Sequence, residues 1–222
     1  MAKVNLKVRA VIFDMDGVIT NTMPDHFRAW KQVLKAEGVP VTYLDVYRRE
    51  GQRGISSIQE ILAAHGRKMP LSHAKGILDK KEELFKRIVK IRFVCGARNF
   101  IRDLDRAGLT LALVTGTAHH EMLKILPESI RKHFKVIITG TDVKIGKPDP
   151  EPFLLALKKL KIAAKDAVVV ENAPFGIQSA KAAGIKCLAL ETSLPRKYLK
   201  AADHIFSSIH AMRRKITFVP QS

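Results

Sequence analysis

Short apolar runs alternate with longer amphipathic stretches along most of this chain, and the two patterns predict different elements. Residues 8–13, Val8-Arg9-Ala10-Val11-Ile12-Phe13, are mostly β-branched or aromatic and are followed by the turn-forming Gly17, which predicts a buried strand. The pattern then turns helical. Residues 24–37 set Phe27, Trp30, Val33 and Leu34 at helical spacing and stop at Gly38. Residues 56–65 carry Ile58, Ile61 and Leu62 on one face before Gly66, and residues 72–91 repeat the pattern with Ile77, Leu84, Phe85, Ile88 and Val89. No segment of this stretch reads as a strand. From Gly96 onward helix and strand alternate: helices over 97–107, 119–126, 152–160 and 176–183, strands over 109–115, 136–139, 167–170 and 186–190.

Such alternation predicts an α/β fold, a parallel sheet covered by helices on both faces. The helical stretch is then an insertion above the C-terminal edge of the sheet. The expected division is a core of residues 1–17 and 95–222 and a helical domain of residues 18–94, hinged near 17–22 and 93–96. A length of 222 residues suits one core with one sizeable insertion. An apolar fraction of 46% and a mean hydropathy of −0.02 fit a globular chain rather than a disordered one. No apolar run approaches the roughly 18 residues of a membrane span, and the first residues lack the apolar stretch of a signal peptide. Cys95 and Cys187 lie far apart in apolar contexts, which predicts buried free thiols and a cytoplasmic setting. With an all-parallel core and no exposed heptad, a monomer is expected.

The net charge of +18 would attract polyanions. It is not concentrated, however: residues 22–94 hold 15 Lys/Arg against 8 Asp/Glu, and the remainder 24 against 13. There is no basic tail, no RNP-like or zinc-finger pattern, and aromatics make up only 6% of the chain. A small phosphorylated substrate is therefore expected rather than nucleic acid. A basic nucleic-acid-binding protein remains the alternative from another class, recognisable by steep salt dependence.

Chemistry is concentrated at predicted strand ends, where open α/β sheets keep their ligand crevices. Asp14-Met15-Asp16-Gly17 follows the first strand, and two carboxylates spaced by one residue can divide nucleophilic attack from proton transfer. Thr115, with Gly116 and Thr117, follows the second core strand and suits a phosphate oxygen. Lys147 stands in the rigid Gly146-Lys147-Pro148-Asp149-Pro150, and Glu171-Asn172 ends the run Val168-Val169-Val170. Singly each is bland; in this order they form a constellation.

Over residues 8 to about 206 the chain resembles the haloacid dehalogenase superfamily, in particular the β-phosphoglucomutase-like phosphatases with a helical (C1-type) cap. The matching motifs are Asp14-Met15-Asp16-Gly17, Thr115, Lys147 within GKPDP, and Glu171-Asn172 followed by APFGIQSAKAAG. The resemblance implies a Rossmann-like core, a cap over it and a Mg²⁺ cofactor. It implies Asp14 as nucleophile forming an aspartyl-phosphate, Asp16 as general acid and base, and Thr115 and Lys147 as holders of the transferring phosphoryl group. Asp14, Asp16 (through its carbonyl), Glu171 and Asn172 would surround the metal. In one respect the chain departs from the pattern, since Asn172 stands where the family usually has a second acid. One lost negative charge predicts weaker Mg²⁺ binding rather than loss of activity.

Residues 13–31 are especially similar to β-phosphoglucomutases, where a histidine matching His26 tunes the general acid. A mutase must also grip a second phosphate. The positions matching that family's clamping arginine and lysine fall on Gly54 and Ala118, although Arg53, His119 and Lys80 could substitute in part. Losing two charge-assisted contacts, each worth ~1.5–3 kcal/mol, favours hydrolysis over mutation. The Gly51-Gln52-Arg53-Gly54 loop is the expected determinant of substrate choice.

Overall fold

A computed structural model describes residues 3–221. Its strands in chain order are Val4–Val8 (β1), Ala10–Phe13 (β2), Thr110–Val114 (β3), Val136–Ile138 (β4), Ala167–Glu171 (β5), Lys186–Leu190 (β6), His204–Phe206 (β7) and Ile216–Pro220 (β8). Its helices are Met23–Ala36 (α1), Tyr43–Tyr47 (α2), Gly54–Ala64 (α3), Leu71–Ile88 (α4), Ala97–Arg106 (α5), His119–Ile125 (α6), Glu128–Arg131 (α7), Glu151–Leu160 (α8), Pro174–Ala182 (α9) and Ile209–Lys215 (α10). Six strands form one parallel sheet in the order β4-β3-β2-β5-β6-β7, with β2 between β3 and β5.

The strands are near-continuous apolar runs because both faces of the sheet are buried. Val11 and Phe13 join Leu111, Leu113, Val168 and Val170 on one face, against Phe100 and Ile101 of α5 and Met212 of α10. Ala10 and Ile12 join Ala112, Val114 and Val169 on the other, against Phe153 of α8 and Ile177 and Ala180 of α9. Each fully buried large side chain contributes about 1.5–3 kcal/mol, so the two faces together hold β2 rigidly under the site it carries.

The structure corrects the sequence reading in several places. Residues 8–13 are not one strand: Arg9 is exposed and bends the chain, and Val4–Val8 pairs instead with Ile216–Pro220 in a separate two-stranded parallel sheet. A guanidinium in the middle of a fully buried strand would carry a charge into the core, so the run breaks there. The strands β1, β7 and β8 and the helices α2, α7 and α10 were not predicted, being three to seven residues each, too short for periodicity to register. The signal for α2 was chemical: Thr42 and Asp45 form a reciprocal capping box at its start. Cys187 is a buried free thiol as expected, but Cys95 is exposed, with its Sγ 3.6 Å from His210 Nε2. Among the described residues no helix is long and apolar enough to cross a membrane.

Helices α1–α4 lie between β2 and α5 and pack around Trp30, Leu34, Ile58, Ile61 and Ile77. Packing also continues downward, since Ala29 of α1 and Leu84 and Phe85 of α4 belong to the same apolar cluster as Phe13. The two chain crossings run side by side, with Asn21 N donating to Arg92 O at 2.7 Å and Val94 N to Ile19 O at 2.9 Å. Buried Asp25 ties them together, its Oδ2 accepting from Lys90 N and from Arg92 Nη2, each at 3.1 Å.

Candidate active site

In register, Phe13 lies beside Leu113 on one side and Val170 on the other, so Asp14, Thr115 and Glu171 leave the sheet as neighbours. Asp14 N donates to Val170 O at 3.0 Å and Thr115 N to Ile138 O at 2.9 Å, which fixes both residues to the sheet edge. Asp14 is 1% exposed. Its Oδ1 accepts from Lys147 Nζ at 2.7 Å, and the same ammonium donates to Glu171 Oε1 at 2.7 Å and to Val114 O at 3.1 Å. All three N–H bonds of Lys147 are thereby used. Burial alone would strip its proton, but the Asp14 and Glu171 carboxylates outweigh burial and push its pKa up. Burial raises Asp14 well above the usual carboxylate range; Lys147 opposes this, while Glu171 and Asp16 add to it.

Asp16 has a different environment. Its Oδ1 accepts from Thr22 Oγ1 and lies 3.6 Å from His26 Nε2, and its Oδ2 accepts from Thr117 Oγ1 at 3.0 Å. Burial pushes this carboxyl up, yet His26, Thr22 and Thr117 together hold it below its ordinary value. His26 stacks on Phe85 with ring centroids 3.9 Å apart, and burial and the Lys81 ammonium keep the imidazole below its usual range against the pull of Asp16. Asp16 is thus an anion and His26 neutral near neutral pH. Thr115 Oγ1 accepts from Thr117 N at 3.1 Å, leaving its own hydrogen free to donate.

The Glu171 carboxylate is fully engaged, Oε1 by Lys147 and Oε2 by Asn172 N at 2.7 Å and Ala173 N at 3.0 Å. Asn172 differs. Its Nδ2 donates to Glu50 Oε1 and Oε2, each at 2.9 Å, and to Ser193 Oγ at 2.7 Å, while its Oδ1 is buried with no partner. Asp14 Oδ2 is likewise buried and unpartnered. Gly17 makes this assembly possible: at φ +85° it adopts a backbone that favours glycine, and a Cβ there would stand 2.1 Å from Asn172 Nδ2 and 2.8 Å from Glu50 Oε1. Burial, and Asp14 beside it, push Glu50 well above the usual carboxylate range despite the Asn172 amide. Asp14, Asp16, Glu50 and Glu171 are all buried, and among the described residues the one ammonium in contact with any of them is Lys147, which pairs with Asp14 and Glu171. Two orphaned oxygens amid surplus negative charge are a donor set suited to a hard divalent cation such as Mg²⁺.

A cavity of about 430 Å³ opens between the helical insertion and the sheet edge, lined by Asp16, His26, Lys81, the 51–54 loop, Gly116 and Thr117. Asp14, Thr115 and Lys147 lie outside its lining. Gly54 lines it, and a Cβ there would stand 2.6 Å from Leu78 Cδ1. Arg53 lines it too, but its guanidinium donates to Lys144 O across the seam. His119 and Lys80 are exposed and absent from the lining; the neighbouring Lys81, buried against Trp30 and Phe85, reaches the cavity instead, so register by sequence alone was one residue out. Glu50, Thr22, Lys81 and Ser193 were not foreseen in any of these roles. Glu50 meets a partner 122 residues away, and no local pattern announces such a pair.

The comparisons with known proteins agree with one another. A family model described as haloacid dehalogenase-like hydrolase matches residues 11–190. A phosphorylated carbohydrates phosphatase from Thermotoga maritima is 35% identical over 185 residues, covering 81% of this chain and 83% of that one. A β-phosphoglucomutase from Bacillus subtilis is 29% identical, covering 85% of each. Among solved structures, a candidate β-phosphoglucomutase from Bacteroides vulgatus has a TM-score of 0.83 at 32% identity, covering 95% of this chain and 88% of that one.

Proposed function

The chain belongs to the haloacid dehalogenase-like hydrolases and is a phosphohydrolase of that family, and from this premise we propose that it hydrolyses a small phosphorylated carbohydrate through an aspartyl-phosphate on Asp14. The observation that carries this reading is the buried, unpartnered Oδ2 of Asp14, two residues from a carboxylate held in a separate protonation regime. Asp14 attacks phosphorus, the bond from phosphorus to the ester oxygen breaks, and the departing oxygen takes its proton from the protonated fraction of Asp16, a fraction kept small by the hydrogen bonds that hold this carboxyl low. Water then attacks the same phosphorus, Asp16 takes its proton, and cleavage of the bond to Asp14 releases phosphate and restores the carboxylate. Asp16 is well prepared for the second step, being an anion oriented by two hydroxyls. Thr115 Oγ1, Lys147 Nζ and the backbone at Gly116 and Thr117 hold the phosphoryl oxygens; to do so Lys147 exchanges one of its three present acceptors. Asp14, the Asp16 carbonyl and Asn172, with Glu171 behind them, would hold Mg²⁺. When bound, that ion would offset the charge between carboxylates and phosphoryl group.

The helical domain of residues 18–94 acts as a cap that opens over the core of residues 1–17 and 95–222 for exchange and closes to exclude water. His26, Arg53 and Gly54 then face the non-transferring part of the substrate. The carbohydrate class rests on the names of relatives, including a hexitol phosphatase A from Escherichia coli. A mutase is the second reading, favoured by Lys81, whose buried ammonium lines the cavity where a second anion would sit. Against it, the clamp positions Gly54 and Ala118 line the cavity without charge.

Phosphate release from a panel of phosphorylated carbohydrates, with Mg²⁺ and with EDTA, decides the matter. Release that requires Mg²⁺ and disappears in Asp14→Asn is expected. Release unaffected by Asp14→Asn would overturn the assignment, and bisphosphate-primed conversion of β-glucose 1-phosphate to glucose 6-phosphate without free phosphate would make the chain a mutase.

A further inference from the structure

Glu50 stands three residues beyond α2, on the cap, yet its carboxylate is 5% exposed and lies in the core's carboxylate cluster. Among the described residues it makes no ion pair; both of its oxygens accept from the Asn172 amide. A buried, unpaired carboxylate costs several kcal/mol unless something offsets it. An ionised carboxylate only accepts, so in that form Glu50 dictates which end of the Asn172 amide faces it: Nδ2 does, and Oδ1 is turned the other way, where no protein donor meets it. A divalent cation at this site would favour the ionised form of Glu50, and the charge absent at Asn172 would then be supplied by Glu50, from a different body. Gly17 leaves only the room for this arrangement, and Thr192 Oγ1 anchors its carbonyl at 2.6 Å.

We propose that Glu50 is a cap-borne positioning residue for the divalent cation: it orients the Asn172 amide and supplies the negative charge that Asn172 lacks, so cation binding and cap closure drive each other. The proposal rests on the Mg²⁺-dependent reading above. When the cap lifts, Glu50 leaves and Asn172 loses its orientation, so the open form binds the cation more weakly. By thermodynamic reciprocity, the bound cation favours closure by the same factor. A core-borne aspartate at position 172 would give no such coupling.

Calorimetric Mg²⁺ titration of the full chain tests this, paired with hydrogen exchange of residues 17–22 and 92–96 with and without Mg²⁺. Glu50→Gln keeps the size and is expected to weaken Mg²⁺ binding about tenfold, the scale of one charge-assisted contact, and to abolish Mg²⁺-induced protection of the hinge. The double variant Glu50→Gln/Asn172→Asp re-forms the hydrogen bond with donor and acceptor exchanged. It should regain the affinity but not the protection, because the charge now resides on the core. Wild-type affinity and protection in Glu50→Gln would overturn the proposal and leave the phosphatase reading intact. No Mg²⁺ binding by the wild type, or binding indifferent to Asp14→Asn, would remove that reading and this inference with it.

Discussion

Two aspartates one residue apart end in opposite environments because their neighbours differ, not their sequence context. Asp14 faces an ammonium and two other carboxylates; Asp16 faces two hydroxyls and a neutral imidazole. That contrast yields a test. Thr22→Val keeps the shape of a fully buried side chain but removes the Thr22 hydrogen bond that helps hold the Asp16 carboxyl down. Losing a hydrogen bond to the charged form raises the pKa, so the limb of the kcat/KM profile governed by Asp16 should move to higher pH by about one unit. An unmoved limb would mean that Asp16 does not control it. At this scale Asp14, Thr115 and Glu171-Asn172 were legible in the chain because each stands at the end of a regular strand, where geometry leaves little choice, whereas Lys147, well beyond β4, was legible from its rigid GKPDP setting. Glu50 was not, since its meaning comes from a partner on another body. Lys81 was missed for a smaller reason, a single-residue error in helical phase between an exposed and a buried lysine.

Between elements, the decisive contact is loop on loop. A Cβ at Gly116, after β3, would stand 2.3 Å from Gly51 O and 2.9 Å from Gln52 O, so the loop beyond α2 rests directly on core backbone. Neither backbone can yield as a flexible side chain would. Gly116→Ala should therefore hold the cap loop away while leaving the sheet untouched, lowering kcat/KM by about 100-fold, the scale of an ångström of misplacement, with an unchanged Tm. A parallel loss of Tm would instead place the damage in the core. The parallel sheet and the long helices were readable because two-sided burial makes strands uniformly apolar and one-sided burial makes helices periodic. Elements of three to seven residues offer no such period, and in residues 8–13 an arginine overrode an otherwise convincing strand. Nor does sequence reveal that α1 and α4 send Ala29, Leu84 and Phe85 into the core's own cluster, which makes the cap an outgrowth of that core.

For the molecule as a whole, the charge of +18 is diffuse, and the cavity is not where it gathers: Arg49, Arg53, Lys75 and Lys81 share its lining with Asp16, Glu50, Asp79, Glu82 and Glu121. Its effect should appear in encounter rather than in binding. On a phosphorylated substrate, kcat/KM should fall as salt rises from about 0.01 to 0.15 M while kcat stays constant, because screening shortens the reach of the field from ~30 to ~8 Å. Salt-independent kcat/KM would remove steering as a role for the charge. The small sheet formed by Val4–Val8 and Ile216–Pro220 has a mechanical consequence. Because those strands are parallel and matched over five residue pairs, tension applied between residues 3 and 221 would pull them lengthwise past each other. The rungs would then share the load and fail together instead of unzipping one after another. This sheet is a shear clasp, and until it gives, a force on the chain ends never reaches the six-stranded sheet or the carboxylates at its edge.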